Sequence, residues 1–190
     1  MKVYYLTIND DFDEGIDAIS LVSMPAVEKN FLCFSKDKPV KFNFDSSKHI
    51  ITGVVCLADT PIYRYDNVRG EYYVVFTKEF IQRMVEKFAK DDLFKSVNLQ
   101  HDDTQFVDGI YMFESYIVNR ERGICPQEFS DIPDGSWICS YKVDNDELWN
   151  EIINGNELNG FSLQGVFEIT DAYFSKQEES FDDWIKQFFN

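Results

Sequence analysis

The chain has 190 residues, 44% hydrophobic and 16% aromatic, and a formal net charge of −16 at pH 7. That apolar content excludes a disordered chain and is enough for one domain with its own core. The acidity excludes a nucleic-acid binder, which needs a basic face to neutralise phosphates, and works against binding to anionic membranes.

KVYYLTI alternates and is rich in β-formers, which predicts a first strand. The acidic NDDFDEG that follows stands where a signal peptide needs an apolar run and a small-residue cleavage site, so secretion is not expected. Ala18 to Val22 is a short apolar strand stopped by Pro25, and Lys36 to Lys48 reads as a polar loop. HIITGVVCLAD is a strong strand in which Gly53 marks a bulge or a close backbone approach. Pro61 to Gly70 reads as a turn-rich connection, with Asp59 to Gly70 a candidate flap, and EYYVVF is another strand. Thr77 is placed to cap a helix carrying Phe80, Ile81, Met84, Val85 and Phe88 at helical spacing. SVNLQHDD returns to strand, and DGIYMFESYIVN is a long strand after a turn. ERGICPQEFSDIPDG is a loop and SWICSYKV a strand. DNDELWNEIING is a helix with an Asp or Asn cap and Gly155 at its end, and GFSLQGVFEIT closes the sheet. EESFDDWIKQFFN puts Phe181, Trp184, Ile185 and Phe188 on one helical face, for packing or for docking. The count predicts a β-rich α+β domain over residues 1–175, with about seven or eight strands and two or three helices, and an amphipathic helix over 176–190. No window approaches the roughly eighteen apolar residues of a membrane span.

Cys33, Cys56, Cys125 and Cys139 form no C-x-x-C pair, and with His49 and His101 they make no zinc spacing. They read as small hydrophobes in a reducing compartment.

Three residues carry candidate chemistry. Period-two alternation in VNLQH puts Val97, Leu99 and His101 on one face, ending at the acidic Asp102 and Asp103. His101 is therefore either a structural histidine or a base, whereas His49 reads as a surface residue. Glu114 shares a strand face with Ile110, Met112, Tyr116 and Val118, and a buried carboxylate needs a partner. A hairpin between residues 101 and 110 would bring it to His101, where it would fix the imidazole tautomer; otherwise it bonds a backbone amide or a tyrosine. Ser162, in G-F-S-L-Q-G, is flanked by glycines that leave room for a substrate backbone. The backbone amides of Leu163, Gln164 and Gly165 are candidate oxyanion donors. The spacing is not that of the G-x-S-x-G nucleophile elbow, and an ordinary strand end is the other reading.

VNLQHDD, GIYMFESYIVN and PDGSWICSYKVDNDELWNEIINGNELNGFSLQG, in that order, resemble the XkdF-type phage prohead (head maturation) serine proteases over roughly residues 50–170. AISLVSMPAVEKNF resembles a segment that recurs in phage versions of this family, including those of crAss-like phages. These proteases are similar in fold to the herpesvirus assemblins, which implies a mixed β-barrel surrounded by helices. The resemblance implies an endopeptidase that cleaves scaffold and capsid proteins inside the assembling procapsid, in the host cytoplasm, with no metal or organic cofactor. By motif, His101 matches the general base and Ser162 the nucleophile, and Glu114 matches the acidic position of the H…ES pattern. Related prohead proteases carry a glutamate before the S-L-V segment; here that position is Ala18, beside Asp17, the fallback third member. Gln164 replaces the glutamate of the G-F-S-x-E-G version. Assemblin relatives can dimerise, which leaves a homo-oligomer open. The competing expectation is a catalytically inactive capsid- or scaffold-associated protein on the same fold, decided by whether Ser162 and His101 come within hydrogen-bond reach. An acidic mimic of nucleic acid and a hydrolase using Cys125 or Cys139 are weaker readings, because they leave His101 and Ser162 unexplained or lack a setting that lowers a thiol pKa.

Overall fold

The computed structural model describes residues 2–7, 15–22, 42–102, 104–154, 158–166 and 168–171. Cys33 and the segment 176–190 lie outside the described residues.

Runs of β-branched and aromatic residues form strands in the expected order. They are β1 (Lys2–Thr7), β2 (Gly15–Val22), β3 (Asn43–Asp45), β4 (Ile50–Cys56), β5 (Pro61–Asp66) and β6 (Gly70–Val75), followed by β7 (Val97–Leu99), β8 (Ile110–Ile117), β9 (Trp137–Val143), β10 (Gly160–Val166) and β11 (Glu168–Asp171). Among the described residues two α-helices interrupt them, α1 (Lys78–Lys90) and α2 (Asp146–Asn154). The fold is thus α+β and strand-rich. The strands make three open sheets, ordered β11-β1-β6-β5, β10-β2-β7 and β3-β4-β9-β8. Among the described residues no ladder closes them into the barrel that the resemblance implies.

Two stretches read as loop contain strand. Pro61 opens β5, where its missing N–H costs least because β5 is an edge strand, and Ile62 to Tyr65 then pair with β6 in a hairpin. β3 forms a short ladder with β4 inside the segment expected as a polar loop.

The helices follow their sequence signals. The Thr77 hydroxyl accepts from the Phe80 N–H at 3.1 Å, and Phe80, Ile81, Met84 and Phe88 are buried along one face of α1. Asn145 caps α2, accepting from the Leu148 N–H at 3.0 Å, and Leu148, Trp149 and Ile152 are buried. One large core runs between α1 and the sheets, with Phe88 edge-on to Trp137 at 5.3 Å. Gly53 proves to be a close approach: a Cβ there would lie 3.1 Å from Phe42 and 3.2 Å from Phe161. Phe161 packs on Phe42 at 4.5 Å and on Tyr141 at 5.1 Å, so it fixes β10 against β4 and β9. The site is built on this anchored strand.

Candidate active site

β2 is the middle strand of its sheet, antiparallel to β10 and parallel to β7. Residues directly opposite in a ladder point to the same face. Ser162 pairs with Ser20, and Ser20 pairs with Asn98, so three polar side chains form one row across three strands. All three are buried. Each is a single polar residue between large apolar ones: I-S-L, F-S-L and V-N-L. The apolar neighbours hold the strands in the core, and the polar residues collect on the intervening row.

His101 reaches this row by leaving the strand. β7 ends at Leu99, and Gln100 and His101 take φ values of 52° and 62°. The Asp102 N–H returns to the Leu99 carbonyl at 2.9 Å, and the Gln100 N–H donates to the Leu21 carbonyl at 2.9 Å, which ties the turn to β2. Asp102 accepts from the Thr104 N–H and hydroxyl and from the Gln105 amide. Hydrogen bonds from Thr104 hold its carboxyl below the ordinary value. The acidic turn thus organises the loop that aims His101. The expected alternation does not hold here: two left-handed residues rotate His101 off the Val97 and Leu99 face and onto the Asn98 face.

His101 Nε2 lies 3.0 Å from Ser162 Oγ, 61 residues away in sequence. On the other side of the ring, Nδ1 lies 3.0 Å from Ser20 Oγ. The Ser20 hydroxyl donates to Asn98 Oδ1 at 2.6 Å, and the Asn98 amide donates to Gln164 Oε1 at 2.6 Å. Ser20 has one proton, and two acceptors compete for it, Asn98 Oδ1 at 2.6 Å and Gln164 Oε1 at 3.3 Å, so toward His101 the hydroxyl accepts. That places the imidazole proton on Nδ1 and leaves the Nε2 lone pair for the Ser162 hydroxyl. This is the tautomer a general base requires. Gln164, opposite the small Ala18, reaches across to close the network.

Glu114 is not at the ring. β7 pairs with β2, and the returning strand of its hairpin is the segment at Phe106, so no hairpin delivers β8 to His101. A bulge between Met112 and Glu114 shifts the β8 register against β9, and Glu114 becomes exposed on an open cleft with Phe113, Tyr116 and Glu128. Asp17 is exposed on β2, and its carbonyl accepts from the Ser96 hydroxyl. The fold itself requires Gly165. A Cβ there would fall 2.0 Å from the Gly15 carbonyl oxygen, at the bulge where β10 crosses β2. His49 is half-buried and stacked on Trp149 at 4.5 Å. Cys56 and Cys139 are buried, and burial pushes both thiols up, away from nucleophilic use. Among the described residues no three His, Cys, Asp or Glu side chains converge as a metal site, and no helix is long and apolar enough to cross a membrane.

A family model described as "Putative phage serine protease XkdF" matches residues 39–171, well over half of the chain. The chain belongs to the XkdF phage serine protease family. The match contains His101, Ser162, Asn98 and Gln164, whereas Ser20 on β2 precedes it. No curated protein and no solved structure matches the chain. In this XkdF-family chain the residues that sequence reasoning missed are Ser20 and Asn98. Their signal was the repeated pattern of one polar residue between large apolar ones, in strands whose pairing the sequence does not announce.

Proposed function

We propose that this chain is a serine endopeptidase that cleaves scaffold and capsid proteins during phage head maturation. The observation that carries this reading is the 3.0 Å approach of His101 Nε2 to the Ser162 hydroxyl on a strand fixed in the core. Nε2 takes the Ser162 proton as Oγ attacks a peptide carbonyl, forming the C–O bond and moving the carbonyl electron pair onto oxygen. Backbone amides from Leu163, Gln164 and Gly165 are the proposed donors to that oxyanion: β10 is an edge strand in its sheet, so part of its N–H row faces away from β2. The oxyanion collapses, the C–N bond breaks, and His101 gives its proton to the leaving amine. Water then repeats the sequence on the acyl-enzyme. Ser20 keeps the Nδ1 proton in place throughout, as the positioning residue of the imidazole.

The acidic surface suits basic segments of scaffold as substrates, and the proposed place of action is the interior of the assembling procapsid. The test is co-expression with the capsid and scaffold proteins of the same phage. Wild type is expected to yield shortened products by mass spectrometry, and Ser162→Ala to lower their formation at least about a thousand-fold. Identical processing by both would remove the nucleophile and leave a structural, shell-associated role.

A further inference from the structure

A narrow cleft borders the nucleophile. Phe161, Ser162 and Leu163 of β10 line it together with Ile62, Arg64 and Phe76. Three consecutive residues of one strand contribute, so the cleft runs along the edge of β10 and not over one face. It adjoins a larger cavity of about 280 Å³ whose walls are Leu6, Tyr72, Val74, Phe76, Leu163 and Gly165. Arg64 lines both.

Arg64 is the anomaly in these walls. Its Nη1 donates to the Tyr63 carbonyl at 3.2 Å. A guanidinium has five N–H donors in a planar fork, and no carboxylate among the described residues pairs with this one. The chain carries 34 Asp and Glu against 18 Lys and Arg, so an unpaired cation is not for want of partners. Burial among apolar side chains pulls the Arg64 pKa down, the penalty of holding a charge away from water. Arginine stays protonated regardless. A half-buried charge held open beside a nucleophile is costly unless a ligand completes it.

We infer that Arg64 selects an acidic side chain, glutamate or aspartate, in the peptide next to the bond that Ser162 attacks. The apolar walls accept the methylene part of that side chain, and the guanidinium meets its carboxylate, in two parallel bonds where the geometry allows. The inference rests on the protease reading and adds the substrate class to it. Acidic surface and acid-selecting pocket are compatible, because the surface repels acidic proteins in general while the cleft accepts one carboxylate among basic flanks.

The test is digestion of a peptide library by the full chain, with Ser162→Ala as blank and with Arg64→Lys and Arg64→Glu beside wild type. Ser162-dependent cuts are expected to carry Glu or Asp at one fixed position flanking the bond. Replacing that residue by Gln in a cleaved peptide is expected to lower kcat/KM roughly 10- to 100-fold. Arg64→Lys should keep the acidic preference in weakened form, and Arg64→Glu should move it toward Lys or Arg, a gain that misfolding does not produce. Ser162-dependent cleavage with no acidic preference, or with the same preference in Arg64→Glu, overturns the inference and leaves the protease reading standing. Absence of any Ser162-dependent cleavage overturns both.

Discussion

Ser20 occupies the position on the imidazole that a carboxylate holds in the Ser-His-Asp arrangement, and the substitution of a hydroxyl has a defined consequence. A carboxylate fixes the tautomer and also stabilises the imidazolium that forms during acyl transfer. Ser20, with its proton committed to Asn98 Oδ1, does the first and supplies only a dipole for the second. One neutral hydrogen bond contributes about 1 kcal/mol, so Ser20→Ala is expected to slow modification of Ser162 by an organophosphonate about five-fold. The loss of 10⁴ seen when a triad carboxylate is replaced is not expected. The same variant should remove the downfield Nδ1 proton resonance of His101, a readout that a general loss of stability would not single out. A thousand-fold loss of rate with that resonance intact would show that Ser20 does more than orient the ring. The approach of His101 to Ser162 was anticipated chiefly through the family resemblance, because spacing alone left each residue an ordinary structural alternative. Ser20 was not, because β2 is buried on nearly every side chain and a serine there looks like any small core residue. The His101 face was misread because alternation assumes an extended backbone, and nothing in L-Q-H-D-D announces two positive φ values.

At the level of elements, the site depends on how β10 lies against β2. Gly165 allows the two backbones to touch: its missing Cβ would meet the Gly15 carbonyl oxygen at 2.0 Å and Ile16 Cα at 2.8 Å. Neither is the end of a flexible side chain, so Gly165→Ala must push the strands apart. Overpacking of a fixed core typically costs about 1–3 kcal/mol, and this backbone contact belongs at the upper end. Gly70, in the β5–β6 hairpin, is the control. Its φ is +71°, and a Cβ there meets nothing within 4 Å. Gly70→Ala is expected to cost only the left-handed strain, about 1 kcal/mol. Urea unfolding of the two variants measures the contrast, and equal losses would show that the contact at Gly165 relaxes freely. Gly165→Ala should also displace Gln164 and so weaken its bond to Asn98. Helices and long strands were readable because capping residues and apolar spacing are local signals. The β5 strand was not, since proline, arginine and aspartate offset its three β-forming residues in any local count. The separation of Glu114 from His101 was also unreadable, because a bulge and a choice of strand partner are decided by tertiary packing.

Across the whole molecule, the count of elements implied the strand-rich α+β class that is found, and composition left closure undetermined: three sheets around one core have the same apolar count as one barrel. The same core sets an alkaline limit on stability. Burial raises the thiols of Cys56 and Cys139 above their ordinary value of 9.0. It raises the Tyr141 hydroxyl too, which finds no hydrogen-bond partner among the described residues. In the unfolded chain the two thiols lose protons above pH 9, whereas in the folded chain they keep them. The unfolded state then binds fewer protons, so stability falls as pH rises. Each thiol contributes a slope approaching about 1.4 kcal/mol per pH unit once well above pH 9, and the tyrosine joins above about pH 10. Below pH 8 none of these groups contributes to the slope. Deprotonation of lysines deepens the net charge of −16 and acts in the same direction. The double variant Cys56→Ala, Cys139→Ala isolates the thiols, because it removes them and leaves Tyr141 and every lysine. Urea midpoints followed from pH 8 to 10.5 are expected to fall steeply in wild type and about half as steeply in the double variant, whatever the loss from the two small cavities at pH 8. Parallel slopes would place the alkaline limit in the tyrosine and the surface charge and not in the buried thiols.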